Sequence, residues 1–331
     1  MTASVVSTEF PLPSSAYSFK DRFLGHILVT RPAQLIWLDI VLGVSTAIVL
    51  LGEFPPASFL TFVLISVIAD AGACTFNDLG DYESDRRSIE TARNKRPVVL
   101  GQVSHRGGTI QGLVLYLLSL ALAFTVSPVL AFVVAIALIW GFQYSFAPAK
   151  MDGRPIVAQL FWLVYIVITV TAIYVFLQET HAPFSSANPE FLPFMVKFLP
   201  YLLYLALFCA VAETLVKDIR DIDNDQRGGK KTTTVFFGFY KASRASWVFA
   251  SLGLLGWYGI LLIYSIPPSF VLLFTVVAVW FQWRSWGWGS VLKESYDKGV
   301  ARKYHISFIL TMAALTAVTA LGVGLRDVIP I

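Results

Sequence analysis

The chain has 331 residues, of which 56% are hydrophobic and only 14% charged, with a mean hydropathy of +0.68. Soluble domains carry roughly 25% charged residues, so these proportions argue against a soluble enzyme, a disordered chain or a nucleic-acid module. The net charge of +4 then reports topology in a membrane rather than affinity for nucleic acid.

Residues 1–25 carry Pro11, Pro13 and several serines but no apolar core. They read as a cytosolic tail with an interfacial turn around 17–24, ahead of one membrane domain over 26–331. Apolar stretches of about twenty residues, the length that crosses a bilayer, occur nine times. They fall near 33–51, 57–76, 111–127, 129–146, 156–177, 196–216, 245–264, 267–284 and 305–325. Pro55-Pro56, Ser127-Pro128 and Pro267-Pro268 mark three short connections. Cys74 and Cys209 lie in or beside apolar runs and read as small buried hydrophobes. The expected fold is all-α, a polytopic membrane protein with nine transmembrane helices.

Basic residues test that count. Of 25 Lys and Arg, 23 lie before the first span or in the connections 77–110, 147–155, 217–244 and 284–304; Lys197 and Arg326 are the exceptions. With nine spans these segments share one side, which the positive-inside rule makes cytoplasmic together with the N-terminus.

Charges are scarce, and the acids cluster. One cluster runs Asn77-Asp78-Leu79-Gly80-Asp81-Tyr82-Glu83-Ser84-Asp85, and another Asp218-Ile219-Arg220-Asp221-Ile222-Asp223-Asn224-Asp225. Both place aspartates at i, i+3 and i+7, within about 60° on one helical face. Each triplet closes the inner end of a span, the second and the sixth. Six carboxylates converging on one cavity need a cation. Their hard oxygens suit Mg²⁺, which keeps waters and bridges to substrate phosphates. Facing triplets could hold two or three such ions around one diphosphate and help break its carbon–oxygen bond. A calcium loop beginning at Asp221 fails, because Gln226 and Thr232 stand where Gly and Glu are needed. Basic residues follow each cluster, among them Lys95, Arg96 and Lys230, suited to neutralising phosphate.

At this point the residues resemble the UbiA-type membrane prenyltransferase superfamily. Asn77-Asp78-x-x-Asp81-x-x-x-Asp85 followed by Asn94-Lys95-Arg96-Pro97 is similar to its first signature. Asp218-x-x-Asp221-x-x-x-Asp225-x-x-x-Gly229-Lys230-x-Thr232 is similar to its second, and Tyr144-Ser145-Phe146-Ala147-Pro148 to a tyrosine turn many members carry. The resemblance implies a helical bundle around a central cavity and Mg²⁺-dependent ionisation of an isoprenoid diphosphate, whose tail runs into an apolar cavity in contact with membrane lipid. The prenyl group would pass to a small lipophilic acceptor. By the same resemblance Asp78, Asp81, Asp85, Asp218, Asp221 and Asp225 would bind metal. Asn77, Lys95, Arg96 and Lys230 would assist the diphosphate, and Tyr144 would sit near the allylic carbon, where its ring could stabilise a cation. Ubiquinone-pathway members carry Lys four residues after the tyrosine and Arg four before the Arg-Pro pair. Here those positions are Pro148 and Ala92, which argues against an aromatic-acid acceptor. Some members cyclise their isoprenoid without an acceptor, so a UbiA-type terpene cyclase is the alternative. A cation transporter is a remote one, since the acids crowd one membrane edge rather than the midplane.

Asp39 and Asp70 stand inside the first two spans, where acids are costly. Asp70 precedes Asp78 by two turns and is expected to face the cavity. Glu213 reads as a partner of Lys217 or a cavity residue, His305 as interfacial, and Gln143, Gln159 and Gln282 as interhelical ties or acceptor contacts. Trp280, Trp283, Trp286 and Trp288 read as an interfacial belt, with a cation-stabilising wall as the alternative.

Overall fold

Apolar runs of this length have only their own backbone to bond with once water is excluded, so each closes its hydrogen bonds as a helix. The computed structural model describes residues 17–88, 96–146 and 148–328. Among the described residues, nine helical runs are long and apolar enough to cross a membrane. They are α1 (Phe19–Leu51), α2 (Phe59–Gly80), α3 (His105–Val126), α4 (Pro128–Ser145), α5 (Val157–Thr180), α6 (Leu199–Arg227), α7 (Phe239–Leu262), α8 (Pro268–Lys293) and α9 (Lys298–Gly324).

The count matches the sequence reading, but several helices overrun their apolar cores. α2, α6 and α8 continue to Gly80, Arg227 and Lys293, while α3 and α9 begin at His105 and Lys298. Hydropathy registers only the part that prefers lipid; the backbone ladder continues through polar residues until a cap stops it. Ser104 accepts from Gly107 N at 3.0 Å to start α3, and Asp297 accepts from Val300 N at 2.8 Å to start α9. Between α3 and α4, the extended Ser127 alone interrupts the helix and caps α4 through Leu130 N at 3.1 Å, with Pro128 at the first helical position. Two helices result, not one kinked unit.

α1 opens with a capping box on Ser18 and Asp21. Its first ten residues expose Phe19, Phe23 and Ile27 one turn apart, an apolar stripe along one side of the helix. The run breaks at Arg31 and restarts at Pro32. Two helices then widen into π geometry, α1 over Ile36–Gly43 and α6 over Tyr204–Ala212, a distortion common at functional sites.

Each helix packs on the next, and α9 returns to α1, so the nine close a ring. Phe62, Phe176, Phe208, Trp257, Phe281 and Phe308 fill much of the core. Some of the polar groups buried there pair across helices. Trp257 Nε1 donates to Thr319 at 2.8 Å, and the hydroxyls of Tyr204 and Thr316 lie 3.1 Å apart.

Candidate active site

The ring encloses a cavity of about 1320 Å³, walled by α1, α2, α4, α5, α6 and α9. One end is ionic, with Arg31, Asn77, Asp81, Arg96, Asp218, Asp221, Asp225 and Lys230 on its wall. The other is largely apolar, with Leu42, Phe62, Ile166, Val170, Leu205 and Met312. A headgroup and a hydrocarbon tail would divide between those ends by solvation alone.

The first acidic cluster is held almost entirely by basic side chains. Arg31 donates to Asn77 Oδ1 at 2.7 Å and to Asp78. Arg31 adopts a left-handed backbone (φ 53), which a β-carbon disfavours, and from there its guanidinium reaches the end of α2. Arg96 pairs with Asp85 and lies 3.1 Å from Asp78 and 3.9 Å from Asp81. Lys230 Nζ donates to Asp81 and Asp152, both at 2.6 Å. Burial opposes the charge on Asp81 and on Lys230. Their mutual attraction overrides it, holding the carboxyl below and the ammonium above their usual ranges.

Geometry separates the three acids. Asp81 lines the cavity; Asp78 and Asp85 do not, and are 2% and 0% exposed. The second cluster behaves differently, since Asp218, Asp221 and Asp225 all line the wall. Arg220 clamps Asp221 through two hydrogen bonds of 2.6 Å, and Gln159 approaches Asp218 at 3.5 Å. Ser88 donates to Asn224 at 2.8 Å and so ties the two clusters together. Among the described residues no three His, Cys, Asp or Glu side chains already form a closed metal cage.

Local chain geometry sets these positions. Gly229 turns the chain at φ 75, a conformation free of strain only without a β-carbon. Lys230 N then bonds Asp225 O at 2.8 Å, and the lysine swings back over α6. At Gly80 a β-carbon would meet Ser145 O at 2.8 Å. That close approach of α2 and α4 lets Asn77 donate to Ser145 Oγ at 3.0 Å and brings Tyr144 to the cavity wall.

Tyr144 begins an aromatic wall. Its ring lies 4.5 Å from Phe161 and 6.0 Å from Trp162, which lies 5.6 Å from Tyr165; Tyr144, Trp162 and Tyr165 all face the cavity. The tryptophans of α8 take no part. Trp280, Trp283 and Trp286 are exposed on the outside of the bundle, as an interfacial belt would be, and none of the four lines the cavity.

Of the expected site residues, Lys95 lies outside the described residues. The structure adds four the sequence reading did not place there: Arg31, Asp152, Trp162 and Tyr165. Arg31 had a faint signal, a cation abutting Pro32 at a span's entrance, while the others are set by which helices meet. His305 is buried and lines the cavity, 3.0 Å from both Glu213 and Arg220. Glu213 does line the cavity, with His305 at its carboxylate. Gln143 and Gln282 are not on the cavity wall. Asp39 and Asp70 are, although each carboxyl at membrane depth costs about 2.5–3.5 kcal/mol.

Comparison with known proteins bears on the family and the fold. Curated relatives include two digeranylgeranylglyceryl phosphate synthases. That of Thermococcus gammatolerans is 28% identical over 220 residues, covering 66% of this chain and 71% of the relative. That of Pyrococcus furiosus is 29% identical over 234 residues, covering 69% and 74%. Among solved structures, a UbiA homologue from Archaeoglobus fulgidus bound to GPP and Mg²⁺ superposes with a TM-score of 0.60 at 20% identity, covering 89% of this chain and 99% of its own. An apo UbiA homologue from Aeropyrum pernix K1 gives a TM-score of 0.63 at 16% identity, covering 86% and 97%. The UbiA prenyltransferase family model matches residues 40–294, and the chain belongs to that family.

Proposed function

We propose that the protein is a Mg²⁺-dependent membrane prenyltransferase that ionises an isoprenoid diphosphate at the ionic end of the cavity and passes the prenyl group to a lipophilic acceptor. The observation that carries this reading is the meeting of four cavity-lining carboxylates, Asp81, Asp218, Asp221 and Asp225, with Arg31, Arg96 and Lys230 at one end of a largely apolar chamber. The donor set fits Mg²⁺, being carboxylate oxygens without Cys and with no His among those four. Asp78 and Asp85 support the set from behind, by fixing Arg31 and Arg96. When bound, Mg²⁺ supplies positive charge for the diphosphate as the allylic carbon–oxygen bond breaks.

The protein's own groups do the rest. Arg31, Arg96, Lys230 and Lys95, with the Asn77 amide, bind and orient the diphosphate. Tyr144 and Trp162 present ring faces to the carbon that gains positive charge. The closed helix ring keeps water from that carbon, so that the acceptor captures it. The related synthases are named for a lipid phosphate bearing two geranylgeranyl groups, and the A. fulgidus structure holds GPP with Mg²⁺. Both support an isoprenoid diphosphate as the donor here.

The basic loops support a cytoplasmic position for this site, with residues 26–331 as one membrane unit behind a 1–25 tail. A cysteine introduced at Lys241 should react with membrane-impermeant maleimide only from the cytoplasmic face. For the chemistry, purified protein in detergent is incubated with Mg²⁺ and allylic diphosphates of ten to twenty carbons, first alone and then with acceptors. Diphosphate consumed only when an acceptor is present supports transfer. A cyclic hydrocarbon formed without one would replace transfer by cyclisation.

A further inference from the structure

One face of α9 forms part of the cavity wall: Lys298, Arg302, His305, Ile309 and Met312 follow one another at a turn's spacing and all line it. On α6, Glu213 and Arg220 stand two turns apart and line the same wall. His305 is set between them. Arg220 Nη1 donates to His305 Nδ1 at 3.0 Å, and His305 Nε2 lies 3.0 Å from Glu213 Oε1. A guanidinium has no acceptor, so Nδ1 carries the lone pair and Nε2 the proton. His305 is therefore a neutral ring that accepts from Arg220 and donates to Glu213. The same guanidinium grips Asp221, through Nε to Oδ1 and Nη2 to Oδ2, both at 2.6 Å. From the segment leading into α9, the Tyr296 hydroxyl donates to Arg220 O at 3.2 Å. The backbone and the side chain of Arg220 are thus held from the same end of α9.

Resting on the transferase reading above, we infer that His305, backed by Glu213, is a positioning residue for Asp221 and acts on it through Arg220. Adjacent side chains on a helix point about 100° apart. The Arg220 guanidinium must therefore turn along α6 to reach the next residue's carboxylate, and a long side chain left to its own rotamers loses entropy by staying there. The neutral imidazole holds it by accepting from the third nitrogen, while Glu213 fixes the ring by accepting from Nε2. An ionised carboxylate offers about four lone-pair positions. The two bonds from Arg220 use two of them, set the plane of the Asp221 carboxylate and leave the others for Mg²⁺. A plain tie between α6 and α9 is complete with Glu213 and His305 alone. It has no need of a guanidinium that goes on to grip a carboxylate of the cavity wall.

The test uses purified full-length protein in detergent, with Mn²⁺ as an EPR-visible substitute for Mg²⁺ and geranyl thiolodiphosphate as an unreactive donor analogue. The wild type is expected to bind Mn²⁺ together with the analogue; no binding overturns the transferase reading and this inference with it. His305→Leu is expected to weaken Mn²⁺ binding about 10–100-fold, the cost of losing an outer support. His305→Gln, whose amide offers both an acceptor and a donor, is expected to recover most of that affinity. Unchanged Mn²⁺ affinity in folded His305→Leu, with only a lowered unfolding midpoint, makes the histidine a simple tie and overturns the inference alone. A His305→Gln protein as weak as His305→Leu overturns it too. A measurement on His305 itself stands even where these variants fail to fold. The other histidines are His26, His105 and His181, and replacing them in turn assigns the ring-nitrogen NMR signals of His305. A neutral ring protonated on Nε2 is expected; a proton on Nδ1 overturns the inference.

Discussion

The two aspartate triplets share one spacing, yet the fold treats them differently: the second lies on one face of α6, while α2 ends at Gly80 and leaves Asp81 and Asp85 beyond it. The first triplet turns two of its three carboxylates away from the cavity, where Arg31 and Arg96 hold Asp78 and Asp85. The triplet on α6 turns all three toward it. Equal sequence spacing fixes the angle between side chains only while one helix continues, and α2 stops before Asp81. In the proposed function, Asp78 and Asp85 of the first triplet would support the cations that meet the substrate, while Asp81 and the second triplet would present oxygens to its counter-ions.

That asymmetry can be broken by mutation. Asp221→Ala, which removes a wall carboxylate, is expected to lower kcat/KM by about 10³ or more. Chelation should silence the wild type and Mg²⁺ restore it, both read by pyrophosphate release. Lys230→Met leaves Asp81 and Asp152 buried without their shared cation. A stability loss of about 3–5 kcal/mol is expected, read as a lowered unfolding midpoint in detergent, together with a raised KM for diphosphate.

Asp78→Asn sharpens the comparison most directly. If Asp78 acts by orienting Arg31 and Arg96, activity should fall about 10–100-fold, the usual cost of losing an outer support, with Mg²⁺ dependence retained. A loss as large as that of Asp221→Ala would make the triplets equivalent and the asymmetry irrelevant. Smallest of all, Tyr144→Ala should cost about 2 kcal/mol of barrier, the upper range for a desolvated cation over a ring, while Tyr144→Phe keeps the ring and should stay near wild-type rate. Comparing kcat for the two variants separates the ring from its hydroxyl.

Much of this architecture is legible in the chain itself. Nine spans and one basic side come from hydropathy and charge alone, because a bilayer imposes its thickness and its inside on the chain directly. The repeated aspartates stand out because carboxylates are rare and costly in so apolar a sequence. Arg31 stays hidden among the topological cations, and its role appears only where its left-handed backbone reaches Asn77 and Asp78. The contacts of His305 with Glu213 and Arg220 are equally hidden, because its helix begins seven residues before it, at Lys298, and packing rather than hydropathy sets its neighbours.

The membrane, the helix count and the acidic chemistry are thus written into local composition and spacing. Three further outcomes are not. Helix packing selects which carboxylates face the cavity, makes Trp162 and Tyr165 rather than the α8 tryptophans continue its aromatic wall, and sets His305 between Glu213 and Arg220. Those outcomes depend on helix rotation and on which helices close the ring. Packing across the whole bundle sets both, and no single stretch of sequence contains them.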